Sequence, residues 1–240
     1  MRLPGSRVWQ GIAVACCLLF LASIGQRYHP EFGFTTLLGL SEAGHPSETP
    51  TLQALPHHDN PGYQGYDGVY YLQLALDPLL RDPATDRAMD DPAYRARRIF
   101  FSWTAWAAGL GRPSWILHAY AAQNIVLWVV LAWVMTRWLK PVTSRGFALW
   151  FAVMFSDGLM ASVHLALVDG PSMLLLALAM AASERGRTWT SAAILGVAGI
   201  ARETNLLGVV TLPWPSGWRG WLKTTGAVLV VMLPALVWQD

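Results

Sequence analysis

Six apolar runs, at residues 8–24, 114–136, 146–166, 170–183, 189–213 and 224–238, limit what this chain can fold into. Polar or Pro/Gly breaks separate them. About 20 apolar residues are what an α-helix needs to cross a bilayer, where backbone N–H and C=O groups must be satisfied within the segment. Only 13% of the 240 residues are charged, against roughly a quarter in soluble domains. The 13 Trp suit rings that sit half in lipid and half in water. The expected fold class is an all-α polytopic membrane protein, with residues 1–240 forming one membrane domain. Run 8–24, behind Arg2 and Arg7, is its first transmembrane helix. A basic flank and a short apolar core also fit a secretory signal peptide. Because further runs follow, an uncleaved anchor is expected. Cys16 and Cys17 are adjacent inside this run, cannot build a disulfide framework, and read as small packing residues.

The stretch from Gly25 to Arg112 is different material. It holds most of the prolines, four of the six histidines and ten of the fifteen acidic residues. The breaks outside it are basic: Arg2, Arg7, Arg137, Lys140, Arg145, Arg185, Arg187, Arg219 and Lys223 stand against one acid, Glu184. The positive-inside rule puts these breaks and the N-terminus in the cytoplasm of a multi-pass inner or plasma membrane protein. Residues 25–113 are then an extracytoplasmic loop with juxtamembrane helices, and 114–238 holds further transmembrane and short paired helices. Crossing parity makes 99–111 a helix lying in the outer interface, with Trp103 and Trp106 as anchors. Likewise 189–213 must leave and return. A pair of short helices meeting at Ala201–Asn205 keeps Arg202 and Glu203 out of the lipid centre, where charge is costly. Runs 146–166 and 170–183 form a similar pair around Asp169–Pro171.

Three constellations carry chemistry. In Tyr66-Asp67-Gly68-Val69-Tyr70-Tyr71, a helix starting near Asp67 puts its carboxylate in the first turn, where the helix dipole favours the ionised form. Tyr70 and Tyr71 follow at i+3 and i+4 on the same face. An ionised carboxylate beside aromatic rings suits a general base acting on a sugar hydroxyl; the bland alternative is an N-terminal cap with interface tyrosines. In Tyr94-Arg95-Ala96-Arg97-Arg98-Ile99, arginines enter an apolar segment, a fit for bidentate phosphate contact. Headgroup contact or pairing with Asp90 and Asp91 is the alternative. Arg202-Glu203 sits at the middle of an apolar run, a functional-site signal by default, though neighbouring charges can also neutralise each other. Asp157 and Asp169 are lone carboxylates that read equally as helix caps.

Other chemistries lack support. His57-His58-Asp59 are consecutive residues with no partner ligands at useful spacing, so no metal is expected. No phosphate-binding glycine loop, zinc helix or nucleophile elbow is present. The basic residues are scattered among membrane loops, which excludes nucleic acid as a partner.

The order of these elements resembles the polytopic GT-C glycosyltransferases, in the bacterial branch carrying "YDG-aromatic-aromatic", then "YR-x-x-R-I", then "Arg/Lys-Glu-Thr". In this chain they read Tyr66–Tyr71, Tyr94–Ile99 and Arg202-Glu203-Thr204. The resemblance implies a GT-C-like transmembrane bundle with a large first loop. It implies transfer of a sugar from a polyprenyl-phosphate donor to an acceptor glycan, lipid or protein at the outer face of the bilayer, with no cofactor. By that analogy Asp67 is the base, and Arg97, Arg98 and Arg202 neutralise the leaving phosphate. Tyr70, Tyr71, Glu203 and Asp169 support them. Members of that family usually run well beyond 240 residues, which implies a fragment, a truncated product or a short relative. Two rivals stand beside this reading. One is a transporter or flippase subunit whose charges line a substrate path. The other is a non-catalytic assembly protein of cell-envelope polysaccharide synthesis.

Overall fold

The computed structural model describes residues 5–62 and 65–239. Helix α1 (Ser6–Gly25) leads into a region of short helices: α2 (Pro50–Gln53), α3 (Gly68–Leu76), α4 (Pro83–Arg87), α5 (Pro92–Ala96) and α6 (Phe100–Ala108). After them come α7 (Pro113–Met135), α8 (Ser144–Met154), α9 (Asp157–His164), α10 (Asp169–Glu184), α11 (Thr188–Ala201) and α12 (Gly217–Gln239). 3₁₀ turns occupy Thr35–Leu37, Glu42–Ser47 and Glu203–Thr211. The described residues form no β-sheet, only the isolated bridge between His29 and Gly33. Three helices, α1, α7 and α12, are long and apolar enough to cross a membrane, and the bent pair α8–α9 makes a fourth if it counts as one crossing. The chain is a multi-pass, all-helical membrane bundle.

Local chemistry explains where the short helices begin. Pro50, Pro83 and Pro92 open α2, α4 and α5, where the missing N–H costs nothing. Thr49, Asp82 and Asp91 precede them and accept a backbone N–H from the first turn. Helix α6 has 9 residues, about 14 Å at 1.5 Å per residue, too short to span hydrocarbon. Its Trp106 is exposed. Trp103, expected as a second interface anchor, instead donates its indole N–H to the Pro78 carbonyl at 2.9 Å and packs edge-on against Trp238.

Helix α7 is the central post, packed by α3, α6, α9 and α10. One end carries the loop core of Leu38, Leu52, Leu72, Ile99 and Phe101, sealed by Ile116, Leu117 and Tyr120 of α7. Further along, Trp128 and Leu131 join a second core with Phe20, Trp150 and Met154. Helices α10, α11 and α12 share a third. By contrast α1 and α12 turn Leu18, Leu19, Leu229 and Val237 outward, as apolar helices at the lipid edge of a bundle do.

Run 146–166, expected as one limb of a pair, is broken into α8 and α9 with a 45° bend. Ser156 between them is extended, and Ala166 beyond α9 takes a positive φ. The carbonyls this irregular stretch frees are recaptured by α7. Asn124 donates to Ser162 O and Leu167 O at 2.8 and 2.7 Å, and Tyr120 donates to Ala166 O at 3.0 Å. Irregular backbone at membrane depth survives where neighbouring helices satisfy it in this way. The 189–213 run breaks at Arg202, between α11 and the 3₁₀ turn Glu203–Thr211, where the charge argument expected two short segments to meet.

Candidate functional site

The N-terminus of α3 anchors the site. Asp67 occupies the N-cap position, but its side chain makes no cap bond. It faces Arg95 of α5 instead, which donates Nη1–H to Oδ2 at 2.7 Å and Nη2–H to Oδ1 at 3.0 Å. The same guanidinium donates to Asp90 through Nε and Nη2 at 2.9 and 2.7 Å. One buried arginine thus grips two half-exposed carboxylates, a fork that suits guanidinium geometry. Burial works against the Arg95 charge, but the hydrogen bonds it donates to Asp90 and Asp67 outweigh it and raise its pKa above the ordinary arginine value. Asp90 is held below the usual carboxylate range, chiefly by its bond from Arg95.

Gly68 makes this placement possible. A Cβ there would collide with the Leu165 carbonyl oxygen in the turn after α9, so the start of α3 rests directly on backbone. The residue after Asp67 therefore has to lack a side chain. The "only a cap" alternative for Asp67 does not describe this geometry. Nor are the tyrosines interface anchors. Tyr71 is fully buried and Tyr70 partly so, and the Arg95 guanidinium lies 4.6 Å from the Tyr70 ring centroid.

Arg98 is the second node. It donates Nε–H and Nη2–H to Glu203 at 2.9 and 2.6 Å, and lies over the Tyr94 ring and near the Tyr71 hydroxyl. The Glu203 bond, ahead of the opposing effect of burial, raises its pKa. This pair joins residues 105 apart in sequence and ties the 202–205 break to the loop-bearing end of the bundle. Arg202 pairs with Asp169 at the start of α10, and its buried Nε–H has no acceptor among the described residues. The sequence expected Arg98 and Arg202 as phosphate-neutralising cations, yet each is neutralised by a carboxylate. The Arg202–Glu203 neighbours do not pair with each other but with Asp169 and Arg98. Arg97, exposed, has no ion-pair partner among the described residues.

A cavity of about 280 Å³ opens beside Asp67, walled by Tyr66, Tyr70, Asp90 and Glu48 together with Gly39, Ser41 and Gly65. It brings Asp67 and Tyr70 together. Arg97, Arg98, Arg202 and Asp169 are not among its walls.

No family model, curated protein or solved structure matches this chain.

Two groups escaped the sequence reading. Arg95 was one arginine of a cluster, and the pattern offered no reason to set it above Arg97. Its position five and four residues after the acidic pair Asp90-Asp91 was the available signal. The other group is His45, Glu48 and His57, whose ligand atoms lie within 4.8 Å of one another. His45 and Glu48 stand twelve and nine residues before His57, and only the fold of the loop brings them beside it. Burial pushes the Glu48 carboxyl above its ordinary pKa, opposed by the neighbouring His45 and His57.

Proposed function

We propose that the chain is a membrane glycosyltransferase that moves a sugar from a polyprenyl-phosphate donor to an acceptor hydroxyl at the loop-bearing face. One observation carries this reading: Asp67, held in a fixed orientation by Arg95, presents its carboxylate with Tyr70 to a cavity sized for part of a sugar. In the proposed step the acceptor O–H gives its proton to Asp67. The acceptor oxygen bonds to the anomeric carbon as that carbon's bond to the phosphate oxygen breaks, and polyprenyl phosphate leaves with the electron pair. Base catalysis of this kind contributes about 10²–10⁴-fold. Arg97 is exposed and is the cation best able to meet the leaving phosphate; Arg98 meets it only by sharing its charge with Glu203. Aromatic rings beside the carboxylate suit the apolar face of a sugar.

A non-catalytic role in envelope polysaccharide assembly is favoured by one observation, the neutralisation of Arg98 and Arg202 by Glu203 and Asp169. Transfer of radiolabelled sugar from polyprenyl phosphate by the purified protein separates the two. Wild-type transfer that falls at least ~100-fold in Asp67→Asn, at near-normal protein levels, supports the enzyme. Transfer unchanged by Asp67→Asn removes Asp67 as the base, and no wild-type transfer favours the assembly role.

A further inference from the structure

Glu48 follows the 3₁₀ turn Glu42–Ser47. Its side chain is 1% exposed, and among the described residues neither carboxylate oxygen has a hydrogen-bond donor. Buried carboxylates are ordinarily satisfied, and an orphan calls for an ion or a proton. The neighbours point to an ion. His57, 6% exposed at its side chain, has Nδ1 at 2.7 Å from the Leu55 carbonyl oxygen. That carbonyl can only accept, so the ring proton sits on Nδ1 and the lone pair on Nε2, the arrangement that backbone carbonyls impose on metal-binding histidines. Nε2 lies 3.5 Å from Asp59 Oδ1. His45 Nε2 lies 3.3 Å from the same oxygen and 4.0 Å from Glu48 Oε2. Metal–ligand bonds of ~2.0–2.2 Å in a tetrahedron separate the ligand atoms by roughly 3.3–3.6 Å. Two of these three separations already match, and the third needs a small closure. Asp59 stands outside the group of His45, Glu48 and His57, whose ligand atoms all lie within 4.8 Å of one another, so its carboxylate has to turn inward to complete a four-ligand set.

The scaffold is fixed. Buried Gln73 of α3 accepts the Thr49 N–H at 2.7 Å and donates to the Ser47 carbonyl at 3.2 Å, so the backbone is clamped on both sides of Glu48. Gln53 donates to the carbonyl of His45 at 2.7 Å. On the facing strand of loop, the His58 N–H reaches Thr35 Oγ1 and the Asn60 N–H reaches Leu40 O. His58 itself turns away and stacks on His29.

We propose that His45, Glu48, His57 and Asp59 bind one divalent transition-metal ion of the zinc class. Two neutral imidazoles and two carboxylates carry two negative charges, which balance a doubly charged ion. The imidazoles select zinc, cobalt or nickel over magnesium and calcium, which take oxygen ligands. Four protein ligands leave no open position, which marks a structural ion. It would cross-link residues 45–48 to 57–59 and stiffen the wall of the cavity beside Asp67, since Glu48 lines both. The proposal stands apart from the sugar-transfer reading.

The test uses the full chain purified in detergent with a tag free of histidine, stripped with a chelator and titrated with ZnCl₂ against a competing chromophoric chelator. CoCl₂ serves as a spectroscopic probe and MgCl₂ as a control. One zinc per chain is expected, with a rise in the thermal unfolding midpoint, and visible absorption of a four-coordinate site with cobalt. His57→Ala and Glu48→Gln should each weaken zinc binding at least ~100-fold, and Asp59→Asn about 10–100-fold, the range seen when groups around a metal are altered. His58→Ala and Asp67→Asn should bind as wild type. If a ligand variant lowers the unfolding midpoint of the stripped protein, the cobalt spectrum of Asp59→Asn, whose side chain is partly exposed, decides the matter by its change in coordination. No zinc uptake by the wild type, equal weakening in His58→Ala and His57→Ala, or a cobalt spectrum unaltered by Asp59→Asn would overturn the site.

Discussion

The two ends of the bundle use arginine in opposite ways. At the loop-bearing end Arg95 and Arg98 are buried among Tyr70, Tyr71 and Tyr94, and each meets carboxylates through two or more hydrogen bonds. At the far end of α7, Arg137 pairs with Glu184 in the open, with Trp138 donating to the same carboxylate at 2.7 Å. The nearby Arg145, Arg185 and Arg187 form no ion pair among the described residues. The residue type is shared, but the surroundings differ. A buried cation needs its partners, because removing one strands charge in low dielectric, whereas an exposed pair is worth ~0–1 kcal/mol. The loop-bearing end is therefore where charge has been organised, and the other end is where it merely stays wet.

Breaking the organised end at its carboxylate should give the largest effect. Asp67→Asn is expected to reduce sugar transfer at least ~100-fold, while Glu184→Gln leaves transfer within about twofold of wild type on the exposed-pair argument; both are read in the labelled-donor assay. Next in size are stability losses, followed by denaturant unfolding in detergent. Arg95→Met leaves Asp67 and Asp90 without their shared cation and should cost about 1–3 kcal/mol, below a fully buried pair because both carboxylates are half exposed. Arg137→Met should cost under ~1 kcal/mol. Gly68→Ala should cost a similar ~1–3 kcal/mol by overpacking against the Leu165 carbonyl, without altering any charge. If Arg95→Met and Arg137→Met prove equal, the contrast between the ends is lost.

A double-mutant cycle sharpens it further. Arg98→Ala with Glu203→Gln should show a coupling of roughly 1–3 kcal/mol, against ~0.2–1 kcal/mol for Arg137→Ala with Glu184→Gln. The smallest effect is that of pH. Asp90 has its folded pKa depressed by Arg95, so the stability it adds is present above its unfolded value of ~3.9 and is lost as pH falls below it. The thermal midpoint should therefore drop on acidification below about pH 4, and Asp90→Asn should flatten part of that slope. A slope unchanged in Asp90→Asn would place the acid-sensitive contact elsewhere.

Particular residues show how far the chain could be read. The apolar runs at 8–24, 114–136 and 224–238 became α1, α7 and α12, because twenty-odd apolar residues leave a backbone few alternatives in lipid. The proline-led starts and their caps were equally local. The break at Arg202 could be inferred because charge at mid-membrane is expensive wherever the chain goes. The break between α8 and α9 could not, since the Met154 carbonyl at its edge is met by the indole N–H of Trp128, arriving from another helix.

What the sequence determined by itself was the helical class, the break at Arg202 and the short list of charged residues worth watching. Only the tertiary structure decided which arginine holds Asp67, that Arg98 reaches across 105 residues to Glu203, and that His45 and Glu48 meet His57. The physical reason is range. Hydrophobic period, caps and prolines act between near neighbours on the chain. Ion pairs and ligand sets depend on where distant backbones come to rest, and on which face of a five-residue helix such as α5 turns inward.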